Sequence, residues 1–296
     1  MLGYAGINRT LRDRAEPVRC NRTMRKATFQ ERGLSYASEL ALGNLRDLQA
    51  VLEWNVDHGI GFYRCSSALV PWNSQFDLAE LPDYDAIRAA AERVGALVRE
   101  EGLRLTFHPD YWCKLASDSA DTRARAVEAV EYHADWLELM GLERSPYYGI
   151  NVHIGATYGD KTATAERLRA AVDELSPGAA GRLTVENDDK SGLWGVAELV
   201  EAVGDRVPVV FDYHHHSFTD GGLTYREGFE RAATTWDVRP TTHYSEPARL
   251  REGSRDARPQ AHARFVADLP GWLRERSDVM VEAGGKERAI ERLRAG

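Results

Sequence analysis

Val207-Pro208-Val209-Val210-Phe211-Asp212-Tyr213-His214-His215-His216 reads as a buried strand that ends in a row of polar groups. Its first half is a short apolar run rich in β-branched residues, the form taken by a strand covered on both faces. Its second half delivers a carboxylate and three imidazoles at one point. Asp212 and His215 stand three apart, a spacing that lets a strand-tip carboxylate and an imidazole on the following loop face one cavity. Oxygen and nitrogen donors of this kind suit zinc, manganese or iron(II). Taken alone, a three-histidine run is equally an exposed turn. The rest of the chain decides, because the same pattern recurs.

Seven further segments have the form of a buried strand with polar groups at or near its end. They are Leu2 to Asn8, closing on Asn8; Ile60 to Ser67, with Arg64, Ser66 and Ser67; Arg104 to Asp110, with His108; and Gly149 to Gly155, with His153. Arg182 to Asp188 carries Glu186, Asn187 and Asp188, Thr241 to Glu246 carries His243, and Asp278 to Ala283 carries Glu282. Amphipathic stretches lie between them: Glu39 to His58, Tyr84 to Glu101, Thr122 to Met140, Thr162 to Leu175, Trp194 to Val203, Tyr225 to Trp236 and Phe265 to Arg276. In the third, Ala126, Val127, Val130, Ala134, Leu137 and Met140 recur at three- and four-residue spacing and define one apolar face.

Strand-helix units with chemistry at the strand ends predict an α/β fold, a single (β/α)8 TIM barrel over residues 1–296 with its active site at the C-terminal strand ends. A doubly wound open sheet would gather its ligands at one switch point, whereas these are spread over the third to eighth strands. No GxGxxG follows the first strand, and Gly284-Gly285-Lys286 is too short for a phosphate loop, so no nucleotide cofactor is expected. Two segments break the alternation. Asn8 to Tyr36 is long for a connection, and Glu246 to Gln260, rich in Arg, Glu, Gly and Pro, joins His243 to His262. Both are expected on the catalytic rim.

With 43% hydrophobic residues and 11 prolines in 296 positions, the composition is that of a globular protein. No apolar run approaches membrane-spanning length, and Met1 to Gly6 lacks the features of a signal peptide, so a cytoplasmic protein with no membrane partner is expected. Cys20, Cys65 and Cys113 are odd in number and far apart, and are expected as buried free thiols. A net charge of −8 argues against a surface that is basic all over. Between Arg9 and Arg32, however, eight basic residues stand against three acidic ones, a segment that a phosphate backbone would favour.

The strand-end donors are His108, His153, Glu186, Asp212, His215, His243, His262 and Glu282. Three carboxylates and five imidazoles exceed the needs of one ion, so two or three divalent ions are expected, bridged by carboxylates. Such a cluster suits phosphodiester hydrolysis, one ion generating the nucleophile from water and another stabilising the leaving oxygen. Glu186, Asp212 and Glu282 are the expected catalytic carboxylates. His58 and His133 fall in helical stretches and read as structural, while His214 and His216 flank the expected ligand.

The chain resembles the UV damage endonucleases, DNA repair enzymes related in fold and metal cluster to the endonuclease IV type of abasic-site nuclease. The resemblance rests on Leu2-Gly3-Tyr4, Asn21-Arg22-Thr23-Met24-Arg25, Asn44-Leu45-Arg46-Asp47-Leu48, Asn55-Val56-Asp57-His58-Gly59, Phe107-His108-Pro109 and His153-Ile154-Gly155. It continues through Val185-Glu186-Asn187-Asp188, the Asp212 to His216 stretch, Ala261-His262-Ala263 and Asp278-Val279-Met280-Val281-Glu282-Ala283. It implies that His108, His153 and Glu186 hold one metal, that Glu186, Asp212, His243 and Glu282 hold a second, and that His215 and His262 help to hold a third. It also implies incision of double-stranded DNA on the 5′ side of ultraviolet photoproducts, with manganese as the typical ion and zinc or magnesium as alternatives.

Family members probe the duplex with residues after the His-Pro of the third strand and with a tyrosine near the start, here Tyr4. Where Gly-Gln-Tyr or Gly-Gln-Phe is usual, this chain has Asp110-Tyr111-Trp112. Where a lysine often precedes the seventh-strand histidine by two residues, it has Thr241, and Gln260 stands where the endonuclease IV relatives carry an aspartate. Tyr4, Asn8, Arg22, Arg25, Tyr111, Trp112 and Lys161 are the expected DNA contacts. A monomer with no protein partner is expected. The rivals are a metal-dependent sugar isomerase or epimerase on the same barrel, an abasic-site endonuclease, and a binding protein that has lost activity.

Overall fold

The computed structural model describes residues 1–253 and 255–295, with Ser74 described by its backbone alone. Ser254, inside the Glu246 to Gln260 insertion, and Gly296, at the end of the expected 1–296 domain, lie outside the described residues.

Eight parallel strands are found among the described residues: β1 Leu2–Ala5, β2 Phe62–Arg64, β3 Arg104–Thr106, β4 Ile150–His153, β5 Leu183–Glu186, β6 Val209–Asp212, β7 Thr241–Tyr244 and β8 Asp278–Val281. They are ordered β3-β2-β1-β8-β7-β6-β5-β4. A parallel bridge between Phe107 and Ile150, just past the end of β3, joins the two outer strands and closes the sheet into the expected barrel. Each strand is shorter than the sequence segment that announced it, because pairing ends where the chain turns outward into the rim loops.

The layer outside the barrel holds α1 Lys26–Asp57, α2 Tyr84–Glu100, α3 Ala120–Leu139, α4 Lys161–Glu174, α5 Val196–Val203, α6 Tyr225–Ala233, α7 Gly271–Arg276 and α8 Glu287–Ala295. In α2, Ile87, Ala90, Ala91, Val94, Gly95 and Val98 are buried at helical spacing, one face against the core. A side chain at Gly95 would run into the Met140 carbonyl, so glycine there sets the approach of α2 to the end of α3. Ser119 caps α3, Asp160 caps α4, and Thr224 with Glu227 forms a capping box on α6. Among the described residues no helix is long and apolar enough to cross a membrane.

Two expectations are corrected and one helix is added. The Asn8 to Tyr36 segment is not all loop: it holds a helical turn at Arg9–Arg12 and the start of α1, which bends at Gly33, where φ is +60°. The helix expected over Phe265 to Arg276 is only its last turn and a half, and α8 follows it, which the sequence reading did not identify.

Strand alternation sorts the residues into inside and outside. Ala5, Phe62 and Met280 pack together as a small apolar plug inside the barrel. Below it, the fully buried Arg104 donates to Asp278 at 3.0 Å and to the carbonyls of Tyr147 and Arg239 at 2.8 and 2.9 Å, sealing the N-terminal end. The same parity, one step further along each strand, brings the polar strand ends together at the opposite mouth.

Candidate metal centre and its nucleic-acid rim

Glu186, the last residue of β5 and buried, is the hub of that mouth. Its Oε1 lies 2.5 Å from His153 Nε2 on β4, the strand paired beside it, and 3.5 Å from His108 Nε2 past the end of β3. Its Oε2 lies 2.6 Å from His243 Nδ1 on β7, and His243 Nδ1 is 3.3 Å from Glu282 Oε1 beyond β8. Asp212 ends β6 and divides its oxygens: Oδ1 accepts from the His215 amide at 2.8 Å and caps the single helical turn Tyr213–His216, while Oδ2 is buried without a hydrogen-bond partner. The donors fall into three groups that share members: His108 with His153 and Glu186; Glu186 with Asp212 and His215; Asp212 with His243 and Glu282.

The donors are held from behind. His108 Nδ1 donates to the Pro109 carbonyl at 3.0 Å, leaving Nε2 to face Glu186, and His215 Nδ1 donates to the Asn187 carbonyl at 3.0 Å. His153 Nδ1 lies 3.2 Å from the Asp188 carboxylate, the carboxylate-histidine arrangement that fixes metal-binding rings. Asn187 grips the backbone of Asp212 through both ends of its amide, at 2.8 and 3.0 Å. Thr184 donates to Asn151 at 3.0 Å, and Asn151 donates to Glu186 Oε2 at 2.6 Å.

Electrostatics follow from this crowding. Burial works to raise the Glu186 carboxyl, but the imidazoles of His153 and His243 outweigh it and hold the group well below the usual range. Burial likewise opposes charge on His153, yet the Glu186 and Asp188 carboxylates lift it well above the ordinary imidazole value. His215 and His243 are raised against burial by the carboxylates around them, whereas burial prevails at His108 and lowers it. Glu282 is held low, against burial, by an ion pair with Arg64 and by His243. Densely packed carboxylates and imidazoles, with a buried lone oxygen on Asp212 and a His243-Glu186 contact that is short but outside hydrogen-bond geometry, fit divalent cations better than they fit one another.

Of the eight expected ligands, seven lie in these groups. His262 does not; its ring sits 5.5 Å from that of His214 and 6.3 Å from that of His215, with Nδ1 buried and unpartnered. His214 and His216 are buried, not exposed. Thr241 opens β7 below His243 and is buried, and Gln260 donates to the Asp189 carbonyl at 3.2 Å.

The expected DNA contacts divide. Tyr111 and Trp112, 87% and 46% exposed, stand on the loop after β3, and Arg25 is exposed ahead of α1. Tyr4 and Asn8 are corrected: because Gly3 and Ala5 point into the barrel, Tyr4 points outward beneath α1, fully buried, with its hydroxyl donating to Asn55 at 2.8 Å and accepting from Asn8 at 2.9 Å. Neither presents a surface to a duplex. Arg22 is paired with Asp47 at 2.7 Å, and Lys161 with Glu198 at 2.5 Å and the Leu193 carbonyl at 2.7 Å, so their charges are spent within the protein. Arg64, Asn151, Asn187 and Thr184 join the site without being among the expected residues; for Asn151 and Thr184 the readable signal is their parity with His153 and Glu186 along β4 and β5.

Comparison with known proteins agrees with this geometry. A UV-damage endonuclease of Schizosaccharomyces pombe is 34% identical over 305 residues, covering 99% of this chain and 50% of that protein. A UV DNA damage endonuclease of Bacillus mycoides is 30% identical over 270 residues, covering 86% of this chain and 80% of that one. The crystal structure of SacUVDE superposes with a TM-score of 0.84 at 25% identity, over 99% of this chain and 96% of that one. The chain spans about half the length of the fungal relatives it matches. The sequence pattern of the UV-endonuclease UvdE family matches residues 1–295, and with barrel, strand-end donors and relatives in agreement, the chain belongs to that family.

Proposed function

We propose that this protein is a DNA repair endonuclease that hydrolyses the phosphodiester on the 5′ side of ultraviolet photoproducts in double-stranded DNA. The observation that carries the reading is the sharing of Glu186 and Asp212 among three ligand groups at one barrel mouth, a donor set for two or three ions and not for one. His108, His153, Glu186, Asp212, His215, His243 and Glu282 would hold the ions, with His262 completing a third site. Manganese is the proposed ion. Bound there, such ions activate water and stabilise the leaving oxygen.

The chain's own residues do the rest. Asn151 and Asn187 fix the carboxylates so that little reorganisation accompanies reaction. Arg64, held on Glu282, would offer positive charge to a phosphate bound at the cluster. Tyr111 and Trp112 offer flat apolar surface to displaced bases, which stack on any aromatic face. Arg25 adds a phosphate contact at the edge, and the protein acts as a cytoplasmic monomer. The test is incision of a labelled duplex carrying one photoproduct, with manganese and with chelator, beside undamaged and abasic duplexes. Manganese-dependent cutting 5′ of the photoproduct is expected; cutting confined to the abasic duplex, or none at all, overturns the reading.

A further inference from the structure

The Glu246 to Gln260 insertion carries a feature that folding does not explain. Leu250 is 80% exposed on the helical turn Ala248–Arg251, above the end of β7. Single exposed leucines are ordinary on protein surfaces. This one is rigidly mounted. The Ala248 amide donates to the Ala261 carbonyl at 2.8 Å, the Ala263 amide to the Glu246 carbonyl at 2.8 Å, and Pro247 bridges His262. The buried Glu246 carboxylate accepts from Arg251 at 2.5 Å and from the Ala267 amide at 2.9 Å. The turn is thus tied to the segment that carries His262, and Leu250 stands at a fixed offset from the metal donors.

Two more observations give it an occupant. From Glu246 to Arg264 the chain has five arginines (Arg249, Arg251, Arg255, Arg258 and Arg264) against Glu246, Glu252 and Asp256, and with Arg251 paired to Glu246 four arginines remain against two carboxylates, in a protein of net charge −8. In the closed strand order, β7 lies four strands from β3 in either direction, so the insertion that carries Leu250 stands across the barrel mouth from the loop that carries Tyr111 and Trp112. The mouth is flanked by exposed apolar side chains on both sides, and on the β7 side they are set in basic sequence.

We propose that the β7 insertion is a second DNA-contacting arm in which Leu250 is an apolar wedge entering the base stack opposite Tyr111 and Trp112. Apolar side chains inserted between base steps unstack and kink a duplex, and flanking arginines hold the phosphates on either side. The arm therefore favours duplex whose stacking a lesion has already weakened. This inference rests on the proposed function above.

The test is Leu250→Ala beside Leu250→Phe, with incision measured on a photoproduct duplex and on the same duplex with an unpaired bubble at the lesion. A 2-aminopurine next to the lesion reports unstacking on binding. Leu250→Ala is expected to lower kcat/KM about tenfold on the paired duplex, mainly through KM, with near wild-type rates on the bubble, a weaker fluorescence rise and recovery in Leu250→Phe. Equal losses on both duplexes, or no loss on either while the wild type cuts, overturn the wedge alone. A wild type that binds neither duplex overturns the proposed function together with it.

Discussion

Replacing Glu186 by glutamine tests the shared cluster most directly. In the native site, His108 and His153 face Oε1, while His243 and Asn151 face Oε2. A glutamine has one acceptor oxygen and one donor group. Because Asn151 donates, the amide oxygen must turn toward it, which sets the NH2 toward His153 and His108 in place of a lone pair. Glu186 belongs to two of the three ligand groups, so Glu186→Gln removes a charge and a donor from both at once. Loss of at least about a thousandfold in incision rate is expected, roughly 4 kcal/mol of transition-state stabilisation. The cost to folding, on the order of 3 kcal/mol for breaking a buried charge cluster, is smaller than the roughly 5–15 kcal/mol of a typical domain, so the variant folds. Incision under saturating manganese, bound metal per chain and circular dichroism together check this. A folded variant that cuts within tenfold of wild type refutes the bridging role.

Asn151→Ala, which removes the support under Glu186, should weaken manganese binding about 10- to 100-fold by titration while the variant still folds. Tyr4→Phe should lower stability by about 1–3 kcal/mol in urea unfolding, because it takes the hydroxyl partner from Asn55 Oδ1 and Asn8 Nδ2, and should leave incision unchanged. Burial depresses His133 from 6.5 to about 4. A histidine held neutral in the fold contributes fully above pH 6.5 and loses that contribution as pH falls toward 4, about 2 kcal/mol by pH 5, a slope that His133→Phe should remove. Manganese at a hundred times its dissociation constant should stabilise the protein by about 2.7 kcal/mol, visible as a rise in Tm that chelator reverses.

The barrel and seven of its donors were legible because six of them sit at or just past a strand end with inward parity, where an apolar run closing on a carboxylate or imidazole shows both facts in one dimension, and His215 follows Asp212 by one helical turn. Tyr4 was expected at the duplex from the family resemblance and not from parity; Gly3 and Ala5 hold the inward positions, so Tyr4 lies beneath α1. Arg22 and Lys161 looked free because Asp47 and Glu198 are distant in sequence, and ion pairing across elements has no periodicity to read. Asn151 and Thr184 carried the right parity, yet a polar residue inside a strand reads as solvent-facing until the barrel is known to close over it. The start of α1 was hidden by Gly33, which interrupts the helical pattern where the chain bends.

The division of labour within the fold follows from where its polar groups lie. Inside the barrel, the apolar plug of Ala5, Phe62 and Met280 is small, and the sites below and above it are filled by charge. The lower charges are complete in themselves: Arg104 is matched by Asp278 and by carbonyls, so they seal the fold at no expense to function. The upper charges are incomplete, with a lone oxygen on Asp212 and with His153, His215 and His243 raised above the ordinary imidazole value by the carboxylates around them. A cation would compete with protons for those imidazoles, so its affinity would weaken as pH is lowered, and its binding would complete an electrostatic core that folding alone leaves unfinished. Stability must therefore come chiefly from the apolar packing between strands and outer helices. That packing is what allows the mouth to be arranged for chemistry although its crowded charges cost the fold some stability.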